Sequence, residues 1–142
     1  MRRLRLHPAV REMVQETRLA PSDFILPLFV MNGENLSDPV ASMPGVARLS
    51  VDRAVAAARE VHALGVKGVL LFGSASQKDG RGSEAWSEDG AVQRAAAEIK
   101  SKVSDLAVFT DVCLCAYTSH GHCGLLNAEK NDVDNDASLK AL

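Results

Sequence analysis

The chain has 142 residues, 46% of them apolar and 24% charged, with a formal net charge of −2. That balance suits one folded soluble domain and carries no electrostatic footprint for a nucleic-acid partner. No apolar run approaches the roughly 18–20 residues of a membrane span, so no membrane partner is expected.

The start, Arg2-Arg3-Leu4-Arg5-Leu6-His7-Pro8, is basic but lacks the apolar core of a secretory signal, and Glu12 and Glu16 soon follow, against a transit peptide. Residues 8–18 read as a short helix with Pro8 in its first turn and Val10, Met13 and Val14 as an apolar stripe. Phe24 to Val30 is a near-continuous apolar run, the pattern of a strand buried on both faces of a parallel sheet, although Pro27 is awkward inside a central strand. Asn32 to Leu49 is loop-like, broken by Gly33, Pro39, Pro44 and Gly45, and long enough to hint at function or small local structure.

Ser50 is the expected N-cap of a helix over 51–64, where Val51, Ala54, Val55, Ala58 and Val61 recur at helical spacing and Gly65 supplies the stop. Val66 to Phe72 reads as a second buried strand. Gly73 to Gly90 is a second long polar loop, carrying Lys78, Asp79 and Arg81. Residues 91–103 form an amphipathic helix through Val92, Ala95, Ala96, Ile99 and Val103. Leu106 to Cys115 reads as a third strand, and Asn135 or Asp136 caps a last helical segment. Strands alternating with helices argue for a parallel α/β sheet, either open and doubly wound or part of a (β/α)8 barrel. Long segments after each strand favour the barrel, whose active sites are built from such loops, but a barrel needs about 250 residues.

All three cysteines fall in one run, Thr110 to Gly124, as C-x-C-x7-C with His120 and His122 between the second and third. An odd, clustered set fits metal or catalytic use better than a disulfide framework, and points to a reducing, cytoplasmic setting. Three sulfur ligands at Cys113, Cys115 and Cys123 could hold a zinc ion and leave its fourth position open, the mark of a catalytic rather than a structural site. Side chains alternate on a strand, so Asp111, Cys113 and Cys115 are expected on one face near its C-terminal end. A redox pair is the weaker reading, since C-x-C is not the thioredoxin-like C-x-x-C. Inert core thiols fit such a polar loop poorly. His120 and His122 stay open between ligand, acid–base group and loop hydrogen-bonder, the last being the plainest.

The run Asp111 to Gly124 closely resembles the zinc-site signature of the porphobilinogen synthase (5-aminolevulinate dehydratase) family. Arg18 to Gly33, Ser42 to Ser50 and Phe72 to Ala95 resemble, in order, that family's first strand, the loop before its first barrel helix, and its second βα loop with the next helix. The resemblance implies a (β/α)8 TIM barrel, here an N-terminal arm over residues 1–20 plus about three βα units over 21–142. It implies a lyase that condenses two 5-aminolevulinate molecules to porphobilinogen with loss of two waters, in tetrapyrrole and haem biosynthesis, as a homo-oligomer, commonly an octamer. It also implies zinc on Cys113, Cys115 and Cys123, Asp111 as an active-site acid, and leaves open a magnesium ion at an allosteric site of full-length members. Ala116 stands where the family often has Pro or Glu, which is not a ligand position. The family's two catalytic lysines have no counterpart in these 142 residues. The expectation is therefore an N-terminal part of such an enzyme, inactive alone. The alternatives are a small non-catalytic zinc- or thiol-binding α/β module and a different metal-dependent lyase or aldolase on the same barrel.

Overall fold

The computed structural model describes residues 2–129 and 131–142. Two short helices, α1 (Arg3–Leu6) and α2 (Pro8–Met13), open the chain. The helix expected to reach residue 18 ends at Met13. Residues 2–20 are exposed apart from half-buried Val10, so tertiary packing adds little to a segment too short to be stable by propensity alone.

A 3₁₀ turn over Pro21–Asp23, in which the Ala20 amide donates to the Asp23 carboxylate at 2.7 Å, leads into β1 (Ile25–Met31). The sheet has five strands in the order β2-β3-β1-β4-β5, with β2 at Ser37–Pro39, β3 at Ala47–Ser50, β4 at Gly68–Ser74 and β5 at Ala107–Thr110. β1 runs parallel to β3 and β4, β4 runs parallel to β5, and β2 pairs antiparallel with β3. The segment expected to be loop between residues 32 and 49 thus adds two strands as a hairpin, built on Pro39 at its edge. Pro27 is tolerated because β3 begins to pair with β1 only at Phe29, leaving one side of β1 free at the proline.

Helices α3 (Val51–Ala63) and α4 (Ala91–Lys102) cover one face of the sheet. Ala54, Val55, Ala58 and Val61 of α3, and Ala91, Val92, Ala95 and Ile99 of α4, close over Leu28, Val30, Val69 and Leu71. α3 ends in a Schellman motif. Gly65, at φ +93°, donates its amide to His62 O at 2.9 Å, and Val66 donates to Val61 O at 3.2 Å. Ser50 occupies the N-cap position, but its hydroxyl is not bonded to a helix amide. It accepts from the Leu36 amide at 2.9 Å and donates to Asp52 Oδ1 at 2.6 Å, tying the hairpin to the helix start.

Among the described residues, no helix covers the opposite face. Side chains of alternate residues stand there, with Phe29 and Phe72 stacked at 5.5 Å and Ile25 and Phe109 about half exposed. The strands are therefore buried on one face, not on both as the apolar runs suggested. This bare face is the one a closed barrel turns inward. The last helix, α5 (Asn135–Leu139), is capped by Asp134, one residue before the expected position, through its carboxylate and the Ala137 amide at 2.9 Å.

Candidate metal centre

β5 stops at Thr110, well short of Cys115. The Asp111 amide still donates to Leu71 O at 3.0 Å, and from there the chain leaves the sheet. Cys113 and Cys115 are thus not two positions of one strand face. On an extended strand, residues i and i+2 stand about 6.6 Å apart, too far for one small cation to hold both thiols readily. A turn solves this. The amides of Tyr117 and Thr118 both donate to Leu114 O at 2.9 Å, and Leu114, 1% exposed, anchors the turn in the interior. The Cys113 and Cys115 sulfurs lie 3.2 Å apart.

The third thiol returns on the following loop. Gly121, at φ +76° with open space around it, makes the bend. Buried Thr118 donates its hydroxyl to His122 O at 2.8 Å, one residue before Cys123. The Sγ atoms of Cys113, Cys115 and Cys123 then all lie within 4.8 Å of one another. Among the described residues they are the cluster with metal-ligand spacing. Zinc–sulfur bonds of about 2.3 Å at tetrahedral angles need sulfurs about 3.8 Å apart, so the Cys113 and Cys115 sulfurs, 3.2 Å apart, would move apart by about half an ångström to share the ion. Soft thiolate donors suit zinc and not magnesium, which takes oxygen ligands.

His120 and His122 hold the loop. His120 Nε2 lies 3.3 Å from Gly80 O, and its Nδ1 accepts from the His122 amide at 3.2 Å, two bonds that agree on one tautomer. The plain reading of His120 as a loop hydrogen-bonder fits these contacts. The loop after β4 braces the same segment from the other side. The Asp79 amide donates to Tyr117 O at 3.3 Å, and Asp79 O accepts from the Ser119 amide at 2.8 Å.

The three thiols differ electrostatically. Burial disfavours a Cys113 thiolate, but hydrogen bonds from the Cys115 amide and from the Cys115 and Cys123 thiols outweigh it and hold Cys113 below the ordinary thiol range. Cys115, bonded to the Cys113 sulfur and partly buried, is pushed up to about 11. Cys123 is raised by its own bond to the Cys113 sulfur and by the Cys113 charge. In the metal-free trio the thiolate form is therefore favoured at Cys113 over the other two. Burial first, then the charges of Glu84 and Asp111, raise Tyr117.

Asp111 is exposed and lines a cavity of about 270 Å³ together with Thr110, Cys113, Tyr117 and Gln93. Its position at the C-terminal end of the sheet beside the thiols is the expected one, reached by a chain that has already left the strand. Lys67 precedes β4 at the opposite end of the sheet, and Lys78 is exposed in the loop.

A profile of the delta-aminolevulinic acid dehydratase family matches residues 1–142. The chain belongs to that family. Among its relatives, the delta-aminolevulinic acid dehydratase of Synechococcus elongatus is 46% identical over 99% of this chain and 44% of its own length. That of Ruminiclostridium josui is 44% identical over 99% of this chain and 68% of its own. The crystal structure of delta-aminolevulinic acid dehydratase (porphobilinogen synthase) from Toxoplasma gondii ME49, in complex with the reaction product porphobilinogen, superposes with a TM-score of 0.88 at 35% identity. It is matched over 98% of this chain and 40% of its own. The α/β sheet described above is thus part of the family's barrel. The chain spans less than half the length of several dehydratases it matches.

Sequence reasoning missed one feature of this region. Glu84 accepts from Asn32 Nδ2 at 2.8 Å and from the amides of Ser76 and Gln77 at 2.9 and 3.2 Å. Asn32 in turn accepts from Arg94 at 2.6 Å. Nothing in the spacing of these residues announces the network, because its members are brought together by β1, the loop after β4 and α4.

Proposed function

We propose that the chain supplies the metal-binding portion of an enzyme that condenses two molecules of 5-aminolevulinate to porphobilinogen with loss of two waters. Convergence of three thiols at the C-terminal end of a parallel sheet carries this reading. Cys113, Cys115 and Cys123 would hold zinc, whose bound form supplies Lewis-acid polarisation of a substrate oxygen. Asp111, at the mouth of the cavity, would exchange a proton with substrate bound beside the thiols. A Schiff base needs an amine in a protected site, and Lys67 and Lys78 do not provide one. The exposed segment over residues 2–20, with Leu6, Met13 and Leu19 turned to solvent, is read as the arm that packs on a second copy in a homo-oligomer. A reducing, cytoplasmic setting suits three free thiols.

The test is to titrate the metal-free chain with zinc and to assay porphobilinogen formation from 5-aminolevulinate alongside. One equivalent of bound zinc, lost in Cys113→Ser, with no product, is the expected outcome. Turnover sensitive to Cys113→Ala would show that an amine in this chain replaces the lysines. Failure to take up zinc would remove the metal reading.

A further inference from the structure

We propose that Glu84 is a positioning residue for the third thiol, Cys123. The idea rests on the metal reading above, but its geometry stands apart from it. Cys113 and Cys115 sit two residues apart on a turn anchored by buried Leu114, so the turn itself presents that pair. Cys123 follows Cys115 by eight residues through Gly121, and its place depends on how the intervening loop is held.

That loop is held by backbone pairing. Asp79 bonds to Tyr117 and Ser119 through its amide and carbonyl, Gly80 O meets His120, and Thr118 passes the constraint to His122 O beside Cys123. Residues 79 and 80 belong to the exposed loop after β4. Their side of the pairing is only as fixed as that loop is, and side-chain bonds fix it. The Asp79 carboxylate accepts from the Arg81 and Ser83 amides at 2.8 and 3.1 Å, which shapes the turn but does not attach it to the sheet. Gln93 of α4 attaches the far end of the loop through Ala85 O at 2.7 Å, and half-buried Glu84 attaches the near end, which leads to Asp79. One carboxylate oxygen takes the Ser76 and Gln77 amides and the other takes Asn32, which directly follows β1. Arg94 of α4 donates to Asn32 Oδ1, which orients the Asn32 amide so that its NH₂ faces Glu84. One carboxylate therefore ties the loop after β4 to β1 directly and, through Asn32, to α4, and the cysteine loop leans on the result. A group hydrogen-bonded to a metal ligand typically changes metal affinity by about 10–100-fold when removed; Glu84 acts one step further out, through the loop, so its effect belongs near the lower end of that range.

The experiment compares the chain with Glu84→Ala and Glu84→Gln in two measurements: zinc affinity by chelator competition, and hydrogen exchange of the Ser119 amide in the metal-free protein. Circular dichroism checks that the helices persist. Glu84→Ala is expected to bind zinc about tenfold more weakly and to exchange Ser119 several-fold faster. Glu84→Gln keeps the shape but has one acceptor oxygen, and should fall between. If Glu84→Ala fails to fold, Glu84→Gln decides by the same two readouts. Zinc affinity equal to wild type, or weaker zinc binding without faster Ser119 exchange, would overturn the proposal. If the wild-type chain takes up no zinc, the metal reading fails on its own, and unchanged Ser119 exchange in both variants would then overturn this one.

Discussion

Gly73→Ala tests whether the thiol turn is packed against β4 as tightly as the geometry says. Gly73 has no positive φ, so alanine is conformationally acceptable there. An added Cβ would lie 1.7 Å from the Tyr117 hydroxyl oxygen and 2.4 Å from its Cζ. Non-bonded carbon contacts settle near 3.5 Å, so the ring must retreat by about 2 Å. Tyr117 is half-buried and its amide closes the turn on Leu114 O, so retreat pulls on the segment between Cys115 and Thr118. Overpacking of this kind costs about 1–3 kcal/mol. Alanine also restricts the unfolded chain and returns about 0.4–1 kcal/mol. The net expectation is a destabilisation of about 1–2 kcal/mol in urea denaturation, with weaker zinc uptake. In a Tyr117→Ala background the clash is gone, and Gly73→Ala should become neutral or slightly stabilising. A double-mutant coupling below about 0.5 kcal/mol would refute the packing argument.

Two further outcomes follow from the charges. With the metal removed, alkylation by iodoacetamide followed by mass spectrometry should label Cys113 first as pH rises, because its thiolate is the stabilised one, and Cys115 last, near its value of about 11. Simultaneous labelling of the two would contradict the hydrogen-bond order in the trio. The Asp52 carboxylate lies below its ordinary value of 3.8, chiefly through the Ser50 hydroxyl, with the Asn35 amide adding to it. A depressed folded-state value means stability fully present above 3.8 and lost as pH falls through the lower folded value. Asp52→Asn should flatten the acid limb of a melting-temperature profile between about pH 5 and pH 2, and an unchanged slope there would show that the contact is not felt.

Legibility followed the range of the interaction. The helices α3 and α4 were plain from their apolar stripes, and Gly65 marked its own Schellman stop, because these signals are carried by neighbours along the chain. The hairpin of β2 and β3 is hidden in the sequence: three and four residues set among breakers carry no periodicity, and the pairing of β3 with β1 is a tertiary fact. The third strand is shorter than its alternation predicts for a related reason. Val112 and Leu114 continue the alternation of β5, yet Leu114 is buried as the anchor of a turn, and alternation alone does not distinguish a pleat from that turn. The thiols were identified from their spacing, and their convergence survives the correction of the strand, since a turn brings Cys113 and Cys115 closer than a pleat would.

What the sequence hides most completely is the support of the site. Glu84, Asn32 and Arg94 are separated by 52 and 62 residues along the chain in their two contacts, and each looks like a solvated polar residue in its own segment. Their meeting is imposed by the parallel order of β1 and β4 with α4 packed behind, which brings the ends of successive strands and their loops to one edge. The same order that delivers the thiols to that edge delivers the carboxylate that steadies them. A metal site on such a scaffold therefore divides into two parts. The proposed ligands obey a local spacing, readable as C-x-C-x7-C. The groups that fix the loops obey only the topology, and become visible once the strands are in register. Loss of a ligand should abolish zinc binding, whereas loss of the brace should weaken it, and that difference in degree is what separates Cys123→Ser from Glu84→Ala in the same titration.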